Sequence, residues 1–310
     1  MPAEAPPLAS DRAQIVNPVS LAAVIAAALA IFLFAPHFFS LTNLANLLRQ
    51  VALTGIVACG MTVVLLAGGF DLSVGGTAAL AGVIAIQIAP HTLAGAIVVP
   101  ILVGGMDGVL NGFLVTRFAI NPLIVTLGTR YLLYALANLA TSGFIQINRR
   151  PAFVLRGAAP SIIFLGLAAV LYFVVKYTTW GARVYAVGSN DRAAAFSGIS
   201  TYRVRIQTYI LCGACAGLGG VVLAMRSGAA APDAGSGYEL DAIAAAVVGG
   251  VSMFGGAGDL RNTVAGVLLL GLLSNILVLA RQPYEMQRIV TGAAIVIAVG
   301  VDRYRRREAR

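Results

Sequence analysis

The chain has 310 residues, of which 59% are hydrophobic and 11% charged, with a formal net charge of +9 and a mean hydropathy of +0.89. Soluble domains carry about 25% charged residues, so this composition excludes an ordinary soluble domain and points to the membrane class. The positive balance does not indicate nucleic acid, because the basic residues are scattered between apolar runs except in the tail DRYRRREAR at 302–310; that distribution suits topology control and anionic lipid.

The first residues, MPAEAPPLASDRAQ, are polar and rich in Pro and Ala, and are expected to form a disordered tail over 1–17. No small-residue cleavage site ends the apolar stretch that follows, which is therefore expected to be a retained first span rather than a signal peptide. Cutting at charges, prolines and turn clusters predicts about ten segments: 18–36, 50–67, 73–90, 93–116, 121–142, 160–178, 206–226, 241–257, 262–280 and 286–301. Crossing the hydrocarbon core takes roughly 20 apolar residues in a helix. The runs are too long and too evenly apolar for barrel strands. The predicted fold class is all-α, a polytopic transmembrane helical bundle forming one domain over 18–302, with a docking loop at 180–205 and a basic tail at 303–310. With both termini cytoplasmic, thirteen of the 21 Lys and Arg residues fall inside, although Arg149, Arg150 and Arg156 fall outside.

Several residues inside this frame ask for a role. GGFDLSVGG at 68–76 places Asp71 among glycines between two apolar runs, and GGVSMFGG at 249–256 repeats the pattern at an offset of 181, pairing Gly68 with Gly249, Gly69 with Gly250 and Gly75 with Gly256. Glycine-rich breaks in corresponding positions of a transporter mark the substrate path; helix packing by small residues is the other reading. Asp71, with Ser73, is expected to cap the third segment and hold a non-helical break, a direct substrate contact being the alternative. Asp107 and Arg130 lie at equal distances from the turn TRFAINP at 116–122, which predicts a buried ion pair between antiparallel neighbours. Cys59, Cys212 and Cys215 sit inside apolar runs and are expected to be packing residues. His37 and His91 have no carboxylate or cysteine cluster beside them, so no metal site is expected.

Four stretches in order resemble the inner-membrane permeases of bacterial ABC importers for monosaccharides of the ribose and xylose type: GMTVVLLAGGFDLSVGG at 60–76, NPLIVTLGTRYLLYALANLATSG at 121–143, YAVGSNDRAAAFSGI at 185–199, and 238–279 from YELDAIAAAVVGG to GLLSNILVL. That resemblance implies a multi-pass protein of the bacterial inner membrane, working with cytoplasmic ATPase subunits, a periplasmic sugar-binding protein and a second permease subunit. No phosphate-cradling G-x-x-x-x-G-K-[ST] is present, so no cofactor is expected on this chain, and ATP and magnesium would belong to the partner ATPase. It further implies a docking helix in which Arg192, Ala193, Ala194 and Gly198 match E-A-A-x-x-x-G, preceded by Asn190 as N-cap and Asp191; arginine replaces the glutamate. Weak polar contacts from Thr126, Asn111, Ser252 or Asn275 would suffice along a sugar path. The competing expectations are an ion-coupled secondary transporter using Asp71 and Asp107, and an ABC permease for branched-chain amino acids.

Overall fold

The computed structural model describes residues 40–147, 157–283, 285–293, 296 and 300. The first predicted span, both terminal tails, His37 and the cluster Arg149, Arg150 and Arg156 lie outside the described residues, as does part of the last predicted segment. The helices whose ends both lie among the described residues are, in chain order, α1 (Leu41–Leu66), α2 (Val74–Ile88), α3 (Leu93–Arg117), α4 (Pro122–Thr141), α5 (Ala159–Tyr177), α6 (Thr179–Ser189), α7 (Asp191–Phe196), α8 (Thr201–Ser227), α9 (Tyr238–Val248) and α10 (Leu260–Leu279). Six of these, α1, α3, α4, α5, α8 and α10, are long and apolar enough to cross a membrane. The protein is thus a helical, multi-pass membrane protein.

One departure from an all-helical chain is a two-residue antiparallel pair, β1 (Gln146–Ile147) with β2 (Ala229–Ala230). It ties the loop after α4 to the loop after α8, satisfying backbone groups that would otherwise lack partners. Helix starts follow ordinary capping chemistry. Ser40 accepts from the Asn43 N–H at 3.2 Å, Asn121 from the Leu123 N–H at 2.9 Å ahead of Pro122, and Asp259 from the Arg261 N–H at 2.8 Å.

Burial sorts the helices into a centre and a periphery. In the most apolar window of α1, 78% of residues are buried, and in α8 67%, whereas α3 and α4 each reach only 28%. α8 packs on α1, α2 and α3; α1 also packs on α5, α9 and α10. The close crossings are made by glycines. A Cβ at Gly104 would meet the Gly213 carbonyl, one at Gly213 the Gly104 carbonyl, and one at Gly108 the Tyr209 carbonyl, so α3 and α8 touch backbone to backbone. A Cβ at Gly266 would likewise strike the Ala245 carbonyl at the α9–α10 crossing.

The segment predicted at 241–257 ends nine residues early, at Val248. Gly250, Gly255, Gly256 and Gly258 all take positive φ, and the chain runs irregularly until Asp259 caps α10. The N-terminal extension of α1 to Leu41 was missed in the opposite sense, since Arg49 reads as a boundary. It instead stays on the helix, donating to the Ala45 carbonyl and the Asn46 side chain.

Candidate functional site

The two glycine copies meet. The Gly256 N–H donates to the Leu66 carbonyl at 2.9 Å, and a Cβ at Gly255 would lie 2.9 Å from the Gly68 Cα. The end of α6 closes over both, because a Cβ at Gly188 would strike the Leu66 carbonyl and lie 2.7 Å from the Gly256 nitrogen. Residues 66–69, 188–189 and 255–256 therefore form one contact between two helix breaks and the loop predicted to dock a partner. The individual glycines have different reasons to be there. Gly68 needs its positive φ of 77°, and Gly69 needs space, a Cβ standing 3.0 Å from the Tyr209 hydroxyl. Gly249 packs against the Asn262 carbonyl, whereas a Cβ at Gly250, at φ 96°, would have only the Asn262 side-chain nitrogen near it, 4.0 Å away. The expectation of a close helix approach at Gly250 is thus replaced by a backbone requirement. Gly75 packs against Glu239 and Gly235 rather than beside its repeat partner.

Beneath the first break lies a buried polar cluster. Asp71 Oδ1 accepts from the Ser73 N–H at 3.0 Å, an Asx turn that holds the break one residue ahead of α2. Ser73 itself occupies the N-cap position without a side-chain cap bond; its hydroxyl lies within hydrogen-bonding reach of Asp71 Oδ1 and 2.7 Å from Asp107 Oδ2. Thr77 donates to Asp107 Oδ2 at 2.9 Å, and Asn111 Nδ2 donates to the Ser73 hydroxyl at 2.9 Å. All five side chains are buried.

The predicted Asp107–Arg130 pair does not form. Arg130 instead binds Glu239 at 2.7 Å, joining α4 to the start of α9, and Asp107 faces Ser73, Thr77 and Asn111. Depth along a helix does not decide azimuth: α2 packs against both α3 and α4, and Asp107 turns to the start of α2 while Arg130 turns to α9. A sequence signal for both clusters was available. Ser73 and Thr77, Asp107 and Asn111, and Arg130 and Tyr134 are all polar pairs spaced by four, which puts each pair on one helix face. Glu239, fully enclosed at 1% exposure, was missed.

Other predicted path residues are spoken for. Thr126 donates to the Pro122 carbonyl at 2.8 Å within its own helix. Ser252 Oγ accepts from the Phe254 N–H at 3.0 Å inside the second break. Asn275 exchanges amide hydrogen bonds with Asn43 at 2.9 and 3.1 Å, stapling α10 to α1.

In the docking loop, Asn190 Oδ1 accepts from the Ala193 N–H at 3.0 Å and caps α7. Asp191 pairs with Arg205 at 3.5 Å, orienting α7 on α8. Ala194 faces the bundle and is buried, while Arg192, Ala193 and Phe196 face outward, Phe196 with 92% of its surface exposed. Gly198, at φ 80° with nothing within 4 Å of a Cβ, is the left-handed stop of that helix. Nearby in α6, Tyr185 donates to the Gly258 carbonyl at 2.8 Å; burial, assisted by the Asp259 charge, pushes its phenol up to about 12.

Two cavities flank this centre. One, of about 510 Å³, is lined by Gly68, Gly69, Thr116, Asn121, Arg205 and Tyr209. The other, of about 370 Å³, is lined by Gln50, Thr54, Ser236, Asp241, Ser274 and Arg288. Thr54 lies about 18 Å of helical rise before the end of α1 at Leu66, and Gly68 follows that end, so the cavities open toward opposite ends of the bundle. A multi-pass bundle whose helices break on glycine between two polar-lined end cavities is built as a membrane permease. The family model for "Branched-chain amino acid transport system / permease component" matches residues 43–299, and the chain belongs to that family. Over 292 residues it is 38% identical to the ribose import permease protein of Bacillus subtilis, covering 86% of this chain and 87% of that protein. It is 34% identical over 288 residues to the L-arabinose ABC transporter permease protein of Azospirillum brasilense (89% and 84%), and 34% identical over 280 residues to the D-allose transport system permease protein of Escherichia coli (86% and 85%). No solved structure matches the chain. The protein is accordingly a transport subunit, not an enzyme.

Proposed function

We propose that the chain is the membrane permease of an ATP-driven monosaccharide importer in the bacterial inner membrane, passing sugar from a periplasmic binding protein to the cytoplasm. The observation that carries this reading is likeness to permeases named for ribose, L-arabinose and D-allose along more than four-fifths of the chain. About ten spans with both termini cytoplasmic form one domain over 18–302. The loop holding α6 and α7 is then cytoplasmic, and the β1–β2 end faces the periplasm. ATP and magnesium belong to a separate ATPase; the chain itself needs no cofactor.

The two cavities are the two vestibules of the path. Each is of a size that holds a small ligand, and Gly68, Gly69, Asp71, Ser73 and Gly75, with the second break around Gly249, Gly250 and Ser252, form the hinge region between them. Thr126 and Asn275 support its walls. The exposed face of α7, with Arg192, Ala193 and Phe196, docks the ATPase, Asn190, Asp191 and Gly198 setting its ends. A second permease subunit, identical or related, completes the assembly against the lipid-facing helices.

The test is sugar-stimulated ATP hydrolysis in vesicles holding this chain with its ATPase and binding protein, using ribose, L-arabinose, D-allose and leucine as probes. Stimulation by at least one sugar is expected, and Phe196→Asp should abolish it while membrane insertion is kept. Stimulation by leucine alone would overturn the sugar assignment, and coupling that survives Phe196→Asp would remove α7 from the ATPase interface.

A further inference from the structure

The Asp71 cluster contains a hydrogen-bond count that does not close with two ionised carboxylates. A serine hydroxyl has one hydrogen to donate and two lone pairs to accept. The Ser73 oxygen touches three groups: Asn111 Nδ2 at 2.9 Å, Asp107 Oδ2 at 2.7 Å, and Asp71 Oδ1. The amide can only donate, so it fills one lone pair. The hydroxyl hydrogen serves one carboxylate, and the remaining contact sets lone pair against lone pair unless the second carboxyl brings a hydrogen of its own.

The surrounding donors decide which carboxyl that is. Asp107 receives Thr77 at 2.9 Å and Asn111 at 3.3 Å in addition to Ser73. Asp71 receives the Ser73 N–H and a weak thiol contact from Cys212, and its Oδ2 is buried with no hydrogen bond of ordinary geometry. Donors stabilise the charged form of Asp107, whereas a buried carboxylate oxygen without one is costly. Asn111 Oδ1, also buried and without a donor, is a second open acceptor in the cluster. Nothing nearby neutralises a second charge: neither aspartate is in any ion pair among the described residues. The ionisable groups facing the cluster from α8 are Tyr209, which donates to the Phe70 carbonyl at 3.0 Å, and Cys212, and neither side chain is a cation. Arg205, earlier on α8, is engaged with Asp191. α1 and α2 contribute no charged group there, and Thr77 is the polar contact from α2.

We infer that Asp71 is a proton-binding site. One proton resides on its carboxyl, Asp71 donates to Ser73, Ser73 donates to Asp107, and the cluster carries a single negative charge on Asp107. The chain of bonds latches the α1–α2 break to α3 without a counter-ion. Removing the proton leaves two negative charges on one serine and drives the break away from α3.

Infrared difference spectroscopy of the full chain in lipid nanodiscs tests this. A carbonyl band of a protonated carboxylic acid is expected at neutral pH, shifted in D₂O and kept in Glu239→Gln. It should vanish in Asp71→Asn and change frequency in Ser73→Ala, where the acid loses its acceptor. Absence of the band from the wild type, or its persistence in Asp71→Asn, would overturn the assignment, and sodium-dependent stabilisation in place of the band would assign the site to a cation instead. If Asp71→Asn does not accumulate, the Ser73→Ala frequency decides, an unmoved band overturning the site.

Discussion

Single residues in this bundle matter chiefly through what they leave behind when removed. Glu239 is enclosed and ion-paired, so truncating Arg130 strands a buried carboxylate. Breaking one member of such a pair costs about 3–5 kcal/mol, whereas replacing both by apolar groups can be neutral. Arg130→Met is therefore expected to lower the thermal midpoint of the purified protein sharply, and Arg130→Met with Glu239→Leu to recover most of the loss. Equal losses in the single and double variants would show that the pair does not stabilise as a unit. Tyr185 makes a pH prediction. Its phenol is raised from the ordinary value near 10 to about 12, so the folded state holds that proton more tightly than the unfolded chain. Its stabilising contribution is complete below about pH 10 and is lost as pH climbs toward about 12. A Tyr185→Phe variant, lacking the bond to Gly258, should be about 1 kcal/mol less stable at neutral pH and lose that alkaline dependence.

At the scale of elements, glycines divide into those that let helices touch, those that let the backbone turn, and those that do neither. Gly104→Ala puts a methyl group into the Gly213 carbonyl, where only backbone could give way, and is expected to prevent accumulation of folded protein. Gly250→Ala meets only an ordinary contact with the Asn262 side chain at 4.0 Å but must hold φ 96°, a strain of about 1–3 kcal/mol, so it should fold with a lowered midpoint. Gly128→Ala meets nothing within 4 Å and should change stability by less than about 1 kcal/mol. If thermal melts put the three variants in any other order, the crossings are placed wrongly.

The whole molecule is organised around α1 and α8, with a cavity toward each end and the two helix breaks packed together near one of them. If both cavities serve one path, filling either should stop uptake without unfolding the protein. Thr116→Trp in the larger and Ser274→Trp in the smaller are each expected to reduce sugar uptake in reconstituted vesicles at least tenfold, with near-normal melting. Normal uptake by either variant would detach that cavity from the path.

Much of this was legible before any coordinates. Long charge-free runs dictate helices, because lipid offers backbone polar groups no partner. Asn190 is legible as a cap, since its short amide suits that role just ahead of a helix. The early end of α9 was not legible, because apolar character continues through Val251 while the glycines that break the helix also suit helix packing. Composition and pattern thus determined the membrane class and the order of the helices, which depend on chemistry local to each segment, and the four quoted stretches carried the family resemblance. The tertiary structure alone decided which charges pair, which glycines touch, and that two breaks 181 residues apart meet on the end of α6. These depend on the rotation of each helix about its axis, which packing against several neighbours sets together, and which no single segment encodes.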